Sequence, residues 1–236
     1  MPLLLHIETA TTVCSVVLSS DQKPISIAEI HSANSHSSLI ATYIEKVFND
    51  ASIDFKDVDA LCVSKGPGSY TGLRIGVSAA KGLCFALDKP LISIETLQAM
   101  AQAFLLSEKF PKDVFVVEPL LCPMIDARRM EVYCAMYDIK LNEVQAVDAV
   151  IIEPDSFNEL LNRQTVIFFG DGAAKCKDSI LHPNALFIDD FQTSAIGMIS
   201  LAEIKYNKGL FENLAYFEPY YLKEFIAGKP KVKGLH

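Results

Sequence analysis

The sequence predicts an α/β protein built from two halves of similar size, each combining a sheet with helices. Three observations carry that prediction. Three strand-like runs open the chain, helical and strand-like patterns alternate after them, and a second series of strands follows a polar break at Ser107–Asp113.

The opening runs are Leu3 to Glu8, Val13 to Ser19 and Pro24 to Ile30, separated by the turn-forming Thr9-Ala10-Thr11-Thr12 and Asp21-Gln22-Lys23. A helix is expected from about Ser35 to Ala51, because Leu39, Ile40, Tyr43, Ile44, Val47 and Phe48 recur at helical spacing; Asn34 or Ser35 is placed to cap it. Ala60 to Ser64 reads as a buried strand, and it runs into a glycine-rich loop, Gly66 to Gly72. A second helix is expected from about Leu73 to Leu87, then a strand at Leu91 to Ile94 and a helix from Glu95 to Leu106. Beyond the break, Leu120 to Asp126 and Glu131 to Asp138 read as paired strands around Ala127-Arg128-Arg129. Gln145 to Ile151 is a further strand and Asp155 or Ser156 starts a short helix. Val166 to Phe169 is a strand whose Gly170-Asp171-Gly172 turn leads to another helix, and Ala195 to Tyr206 is the last helix. The expected division is 1–106, 107–227 and a mobile Lys-rich tail at 228–236, with no exact internal sequence repeat.

Composition narrows the function classes. With 236 residues, half of them apolar, the chain is long enough to bury a sizeable core. No apolar run approaches the roughly 20 residues that span a bilayer. Met1 to Ile7 lack a basic lead and a cleavage site, so they read as a strand rather than a signal peptide. A net charge of −8 disfavours an unaided grip on nucleic acid, which relies on excess Lys and Arg. The cysteines, Cys14, Cys62, Cys84, Cys122, Cys134 and Cys176, have no CxxC spacing and sit mostly in apolar runs, so they read as buried free thiols in a reducing cytoplasm.

Three segments hold groups able to do chemistry. A strand, a glycine-rich turn and a helix start can hold an anion on free N–H groups, which makes Gly66, Gly68 and Ser69 candidates; the same glycines also suit a tight structural connection. The loop matches neither the Walker nor the dinucleotide pattern. Thr9, Thr11 and Thr12 put hydroxyls on the first hairpin, where they suit a phosphate contact or simply a turn. Gly170, Asp171 and Gly172 make a matching turn in the second half. The helix after the glycine loop has one thin polar stripe, Arg74, Ser78 and Lys81. Its small residues Gly72, Gly76 and Ala80 recur every four positions, which admits close approach by a partner or complete burial within the chain. His31 and His36 have no third ligand nearby and read as polar surface or capping residues rather than a metal site.

The run Gly66-Pro67-Gly68-Ser69-Tyr70-Thr71-Gly72-Leu73-Arg74-Ile75-Gly76 resembles the signature of the TsaB (YeaZ) family. So do Ile7-Glu8-Thr9-Ala10-Thr11, His31-Ser32, Ile125 to Tyr133, Gly170-Asp171-Gly172 and Pro219-Tyr220-Tyr221-Leu222, in order and over nearly the whole chain. Glu8 stands where the family usually has Asp. The resemblance implies an actin-like ATPase fold (the sugar kinase, Hsp70 and actin group) of two α/β subdomains. It also implies a non-catalytic scaffold and activator for a TsaD-like threonylcarbamoyltransferase, which modifies adenosine beside the tRNA anticodon.

The partners it implies are TsaD, a TsaE-like ATPase and a second copy of the chain in isolation, with tRNA reached only through the complex and no membrane. No cofactor is expected to be required by this chain, with ATP or ADP bound in the complex. The His-x-x-x-His metal motif of TsaD-like enzymes is missing from Ile94 to Met100, so no metal site is expected. Pairing is expected through the two N-terminal helices, with Leu39, Tyr43, Val47, Gly72, Ile75, Gly76, Ala79, Ala80 and Leu83 as interface candidates. On that reading Gly76→Arg blocks pairing and leaves the fold intact. The alternative is an active ATP-dependent phosphotransferase or carbamoyltransferase of the same fold, using the Thr9–Thr12 hairpin and Gly170–Gly172 as phosphate clamps; a self-sufficient homodimer with only a binding role is a third reading.

Overall fold

A computed structural model describes residues 1–31, 36–112 and 114–223, with no account of the side chains at 31 and 36–38. The Asn34 or Ser35 cap, the His31 and His36 side chains and the tail at 228–236 therefore lie outside the described residues.

The first half runs β1 (Leu3–Glu8), β2 (Val13–Ser20), β3 (Lys23–His31), α1 (His36–Ala51), β4 (Ala60–Gly66), α2 (Tyr70–Leu87), β5 (Leu91–Glu95) and α3 (Thr96–Leu106). The second runs β6 (Leu120–Asp126), β7 (Glu131–Tyr137), β8 (Glu143–Ile151), α4 (Asn158–Leu161), β9 (Val166–Phe169), β10 (Ala185–Phe187) and α5 (Ile199–Asn207). The sheets have strand orders β3-β2-β1-β4-β5 and β10-β9-β6-β7-β8. In each, three antiparallel strands lead into two parallel ones, so the second half repeats the first in topology. This is the expected actin-like arrangement of two α/β units.

Alternation along the strands divides the cores. Leu5 and Ile7 of β1 face α1 and α2, joining Val47, Phe48, Val77 and Ala80, while Leu4 faces the opposite layer with Cys62, Ile92 and Ile94. Because both faces of the sheet are covered, β1, β2 and β4 read as nearly unbroken apolar runs. Helix α3 is shared between the halves. Ala99 packs with the first sheet, whereas Leu97, Met100, Ala101 and Phe104 pack on the second with Ile125, Ile167 and Phe169. All six cysteines are free and buried, as their apolar settings suggested.

Several boundaries differ from expectation. Helix α2 starts three residues early, at Tyr70, because Ser69 caps it by accepting from the Gly72 N–H at 3.3 Å. The turn at Gly170–Gly172 leads only to a 3₁₀ turn, Ala174–Cys176, and the last helix is split into a 3₁₀ segment, Ala195–Met198, and α5. The larger correction concerns 107–227 as one subdomain. Ala195, Met198, Ile199 and Ala202 pack on the first sheet, and Leu214 and Phe217 join the core beneath α2. The chain thus returns to its first half after completing the second sheet.

Candidate functional site

The first hairpin and the glycine loop, separated by more than fifty residues of sequence, are locked together. The Ser69 N–H donates to Ala10 O at 2.6 Å, and Thr9 Oγ1 donates to Gly72 O at 2.8 Å. A Cβ on Gly68 would overlap Ala10, and one on Gly72 would overlap Thr9 O, so this contact admits no side chain at either position. The Gly66 N–H donates to Thr96 Oγ1 at 3.1 Å, tying the loop to α3. Thr11 Oγ1 pairs with Thr193 Oγ1 at 2.7 Å, which joins the hairpin to the returning segment. Thr9 and Thr11 are buried; Thr12 is exposed. The N–H groups of Gly66, Ser69 and Gly72 are therefore engaged within the chain.

Glu8 lies beneath this junction. Its Oε1 accepts from the Ala10 N–H at 2.6 Å and from Ser64 Oγ at 2.9 Å. Burial pushes the carboxyl up to about 7 despite those hydrogen bonds, which favour the charged form. Two residues earlier, His6 shares a hydrogen bond of 2.7 Å between Nε2 and Ser19 Oγ, while Nδ1 has no partner; burial lowers its pKa to about 3.

In the second half, Gly170 and Gly172 press against the backbone of Met124 and Ile125, and Asp171 Oδ1 accepts from the Asp126 N–H at 3.1 Å. The Gly170–Gly172 turn thus packs against the end of β6, as the glycine loop packs against the end of β1. The Pro219–Leu222 segment reaches the glycine loop. The Tyr220 N–H donates to Lys65 O at 2.7 Å, and the Tyr221 ring lies 4.9 Å from that of Tyr70. Among the described residues, no group of three or more His, Cys, Asp or Glu side chains is arranged to hold a metal ion.

The helix pair gives a different geometry from the one its sequence suggested. Val47, Gly72, Gly76 and Ala80 are buried inside the chain. A Cβ on Gly76 would overlap Thr9 Oγ1. Gly72 and Gly76 admit the first hairpin, and Val47 and Ala80 pack in the core of the first half, so these four positions are not available to a partner, and Gly76→Arg cannot leave the fold intact. Leu39, Tyr43, Ile75, Ala79 and Leu83 are half-buried. Ala79 and Leu83 line an open apolar groove of about 360 Å³ between α1 and α2, together with Ile40, Ala41, Ile44, Phe55, Ser78 and Gly82. Gly82 has open space where a Cβ would stand, and Phe85 is 84% exposed. Ile40 and Ile44 were visible in the α1 stripe; the parts played by Gly82 and Phe85 were not, since neither belongs to a periodic pattern.

Similarities to known proteins agree with this geometry. The family model described as "TsaD: tRNA N6-adenosine threonylcarbamoyltransferase" matches residues 27–233. The tRNA threonylcarbamoyladenosine biosynthesis protein TsaB of Haemophilus influenzae is 27% identical over 237 residues, covering 96% of this chain and 95% of that protein. TsaB of Bacillus subtilis is 30% identical over 183 residues, covering 75% of this chain and 74% of its own length. Among solved structures, YeaZ from Pseudomonas aeruginosa superposes with a TM-score of 0.79 at 22% identity, covering 94% of this chain and all of that one. With its two-sheet topology, locked glycine loop and near full-length similarity, the chain belongs to the TsaB (YeaZ) family of tRNA threonylcarbamoyladenosine biosynthesis proteins, within the group that the TsaD model describes.

Proposed function

We propose that this chain is a cytoplasmic, non-catalytic subunit that holds and activates a TsaD-like threonylcarbamoyltransferase, in a complex joined by a TsaE-like ATPase. The observation that carries this reading is the apolar groove between α1 and α2. Ala79 and Leu83 are half-buried there over the almost wholly buried Ile40 and Ile44, and covering the apolar surface that remains open with a helix of another chain is favourable at about 25 cal/mol per Å². The isolated chain uses the same groove to pair with itself.

The first half is less suited to catalysis. A phosphate brought to the hairpin would meet N–H groups already bonded within the chain, with the Glu8 carboxyl just beneath. The stretch Ile94–Met100 carries no histidine that could seat a transition metal. ATP or ADP is accordingly assigned to the complex and not required by this chain.

The test is threonylcarbamoyl transfer to tRNA in a reconstituted mixture of the TsaD-like subunit, the TsaE-like ATPase, carbamoyl donor and ATP, with this chain added or omitted. Modification is expected to need the chain, and the chain without the TsaD-like subunit to yield none. Gly82→Arg puts a long charged side chain into the open groove without touching the core, so it is expected to abolish pairing while the far-UV circular dichroism and unfolding midpoint hold. Normal pairing by this variant would refute the groove assignment. Modification by the chain unaided would refute the non-catalytic reading.

A further inference from the structure

Helix α2 turns one ridge outward along its whole length. Thr71, Arg74, Ser78, Gly82 and Phe85 are exposed and recur at spacings of three and four, so they share one face. Ile75, Ala79 and Leu83 flank the ridge and are half-buried. A second open pocket, of about 420 Å³, is lined by Tyr70, Thr71, Arg74, Ile75 and Ser78, and Ser78 also lines the groove between α1 and α2. The two hollows thus meet at Ser78. One open surface follows α2 from Gly82 back to Tyr70, about 18 Å at 1.5 Å per residue.

The ridge is polar at one end and apolar at the other. Its one charge is Arg74, near the start of the helix, and it ends at Phe85, 84% exposed. Arg74 is held but not neutralised. Its Nη1 donates to Tyr70 Oη at 2.8 Å, and the guanidinium carbon lies 5.3 Å from the centre of the Tyr70 ring. That ring lies 4.9 Å from the ring of Tyr221, whose segment is fixed by the Tyr220 N–H on Lys65 O. A guanidinium has five N–H donors in a planar fork, and the bond to Tyr70 engages one. Among the described residues Arg74 joins no ion pair, and α2 itself carries no carboxylate. Lys81, the other cation of the helix, is engaged within the chain, donating to Ala215 O at 3.3 Å and to Phe217 O at 2.9 Å.

We propose that Arg74 is the specificity-determining residue of this surface: it receives a carboxylate at one end of an amphipathic helix of the TsaD-like subunit, whose apolar face fills the groove toward Gly82 and Phe85. This rests on the function proposed above and adds the polarity of the partner to it. Because Tyr70 already orients the fork, little side-chain freedom is lost when the pair forms. Apolar surface on either side keeps water from the pair and strengthens it relative to an exposed one. A second copy brings to the groove a ridge whose one charge is the same arginine, so that ridge offers the fork no carboxylate. Arg74 therefore favours the acidic partner over self-pairing.

The test follows the full-length chain binding to the TsaD-like subunit by fluorescence titration, and its self-pairing by sedimentation equilibrium, over roughly 50 to 500 mM salt. Arg74→Gln is expected to weaken binding to the TsaD-like subunit about tenfold at the low end and to flatten its salt dependence, with self-pairing held within about twofold. Arg74→Glu is expected to weaken that binding about a hundredfold, and Arg74→Lys, which keeps the charge without the fork, to fall between wild type and Arg74→Gln. The side chain is exposed, so the unfolding midpoint is expected to hold in all three. Unchanged binding by Arg74→Gln would overturn the proposal, as would a fall in midpoint that accounts for the loss. An equal loss of self-pairing would assign the arginine to a carboxylate of a second copy, such as the exposed Glu45 one turn beyond Ala41, and would overturn it too. If wild type binds and the variants bind as well, this inference alone falls; if wild type does not bind the TsaD-like subunit, the proposed function falls and the inference with it.

Discussion

Glu8 and His6 stand two residues apart on β1, so they share a face of the sheet, and each is almost wholly withdrawn from water. Their titrations oppose each other. The folded chain keeps the Glu8 proton up to about pH 7, whereas an unfolded chain loses it near 4.5. The stabilisation from this proton is complete below about 4.5 and is lost as pH rises through 7. For His6 the unfolded chain takes up a proton below 6.5 and the folded chain not until about 3, so stability falls as pH drops below 6.5. Between about 4.5 and 6.5 the two slopes offset one another. Glu8→Gln keeps an acceptor for Ala10 and Ser64 but removes one titration. Its stability relative to wild type should grow by about 1.4 kcal/mol per pH unit between pH 4.5 and 7, then level off at about 3 to 4 kcal/mol. Urea unfolding across that range measures it, and a gap independent of pH would show that Glu8 titrates normally in the fold. Glu8 was legible in the sequence as a departure from the family pattern. Its burial was not, because Ser64 of β4, which donates to its carboxyl, lies 56 residues away in sequence.

Helix α2 carries glycines with opposite meanings. Gly76 faces Thr9, where a methyl group would collide with a hydroxyl held against Gly72 O. Gly82 faces the groove, where nothing stands within 4 Å of a Cβ. Gly76→Ala should therefore lose about 1 to 3 kcal/mol by overpacking. Gly82→Ala should gain about 0.5 to 1 kcal/mol, because alanine is the better helix former at an open site. Paired urea titrations decide both, and similar effects from the two variants would contradict this assignment of faces. The four-residue spacing of small side chains was plain in the sequence. A spacing says that something comes close; it does not say whether that neighbour is a strand end of the same chain or a helix of another.

At the scale of the molecule, one cooperative body is built from two sheets of the same topology. Ser15 accepts from the Ala195 N–H at 2.8 Å, and Ser15 and Ser194 both donate to Glu29, so the segment after the second sheet is bonded onto the first. Without that segment Leu4, Cys62, Ile92 and Ile94 lose their cover. Residues 1–106 alone should therefore fail to give a cooperative melting transition. The full chain should unfold in one step, with calorimetric and van't Hoff enthalpies equal. Two separated transitions, or a folded 1–106 fragment with dispersed amide resonances, would refute this coupling.

The sequence by itself determined the elements and the family. Periodicity set nine of the ten described strands within a few residues, missing the short β10 and expecting a helix where Ala174–Cys176 makes only a 3₁₀ turn, and the Gly66–Gly76 and Ile125–Tyr133 motifs gave the fold class and its kinship, because these depend on local backbone preference and on residues adjacent in the chain. The tertiary structure alone decided which faces are spare. Val47, Gly72, Gly76 and Ala80 look like a docking stripe until Thr9 and the first sheet are seen against them. The repeat of topology between the halves leaves no exact sequence repeat, since a strand order is kept by hydrogen bonding and burial that many side chains satisfy.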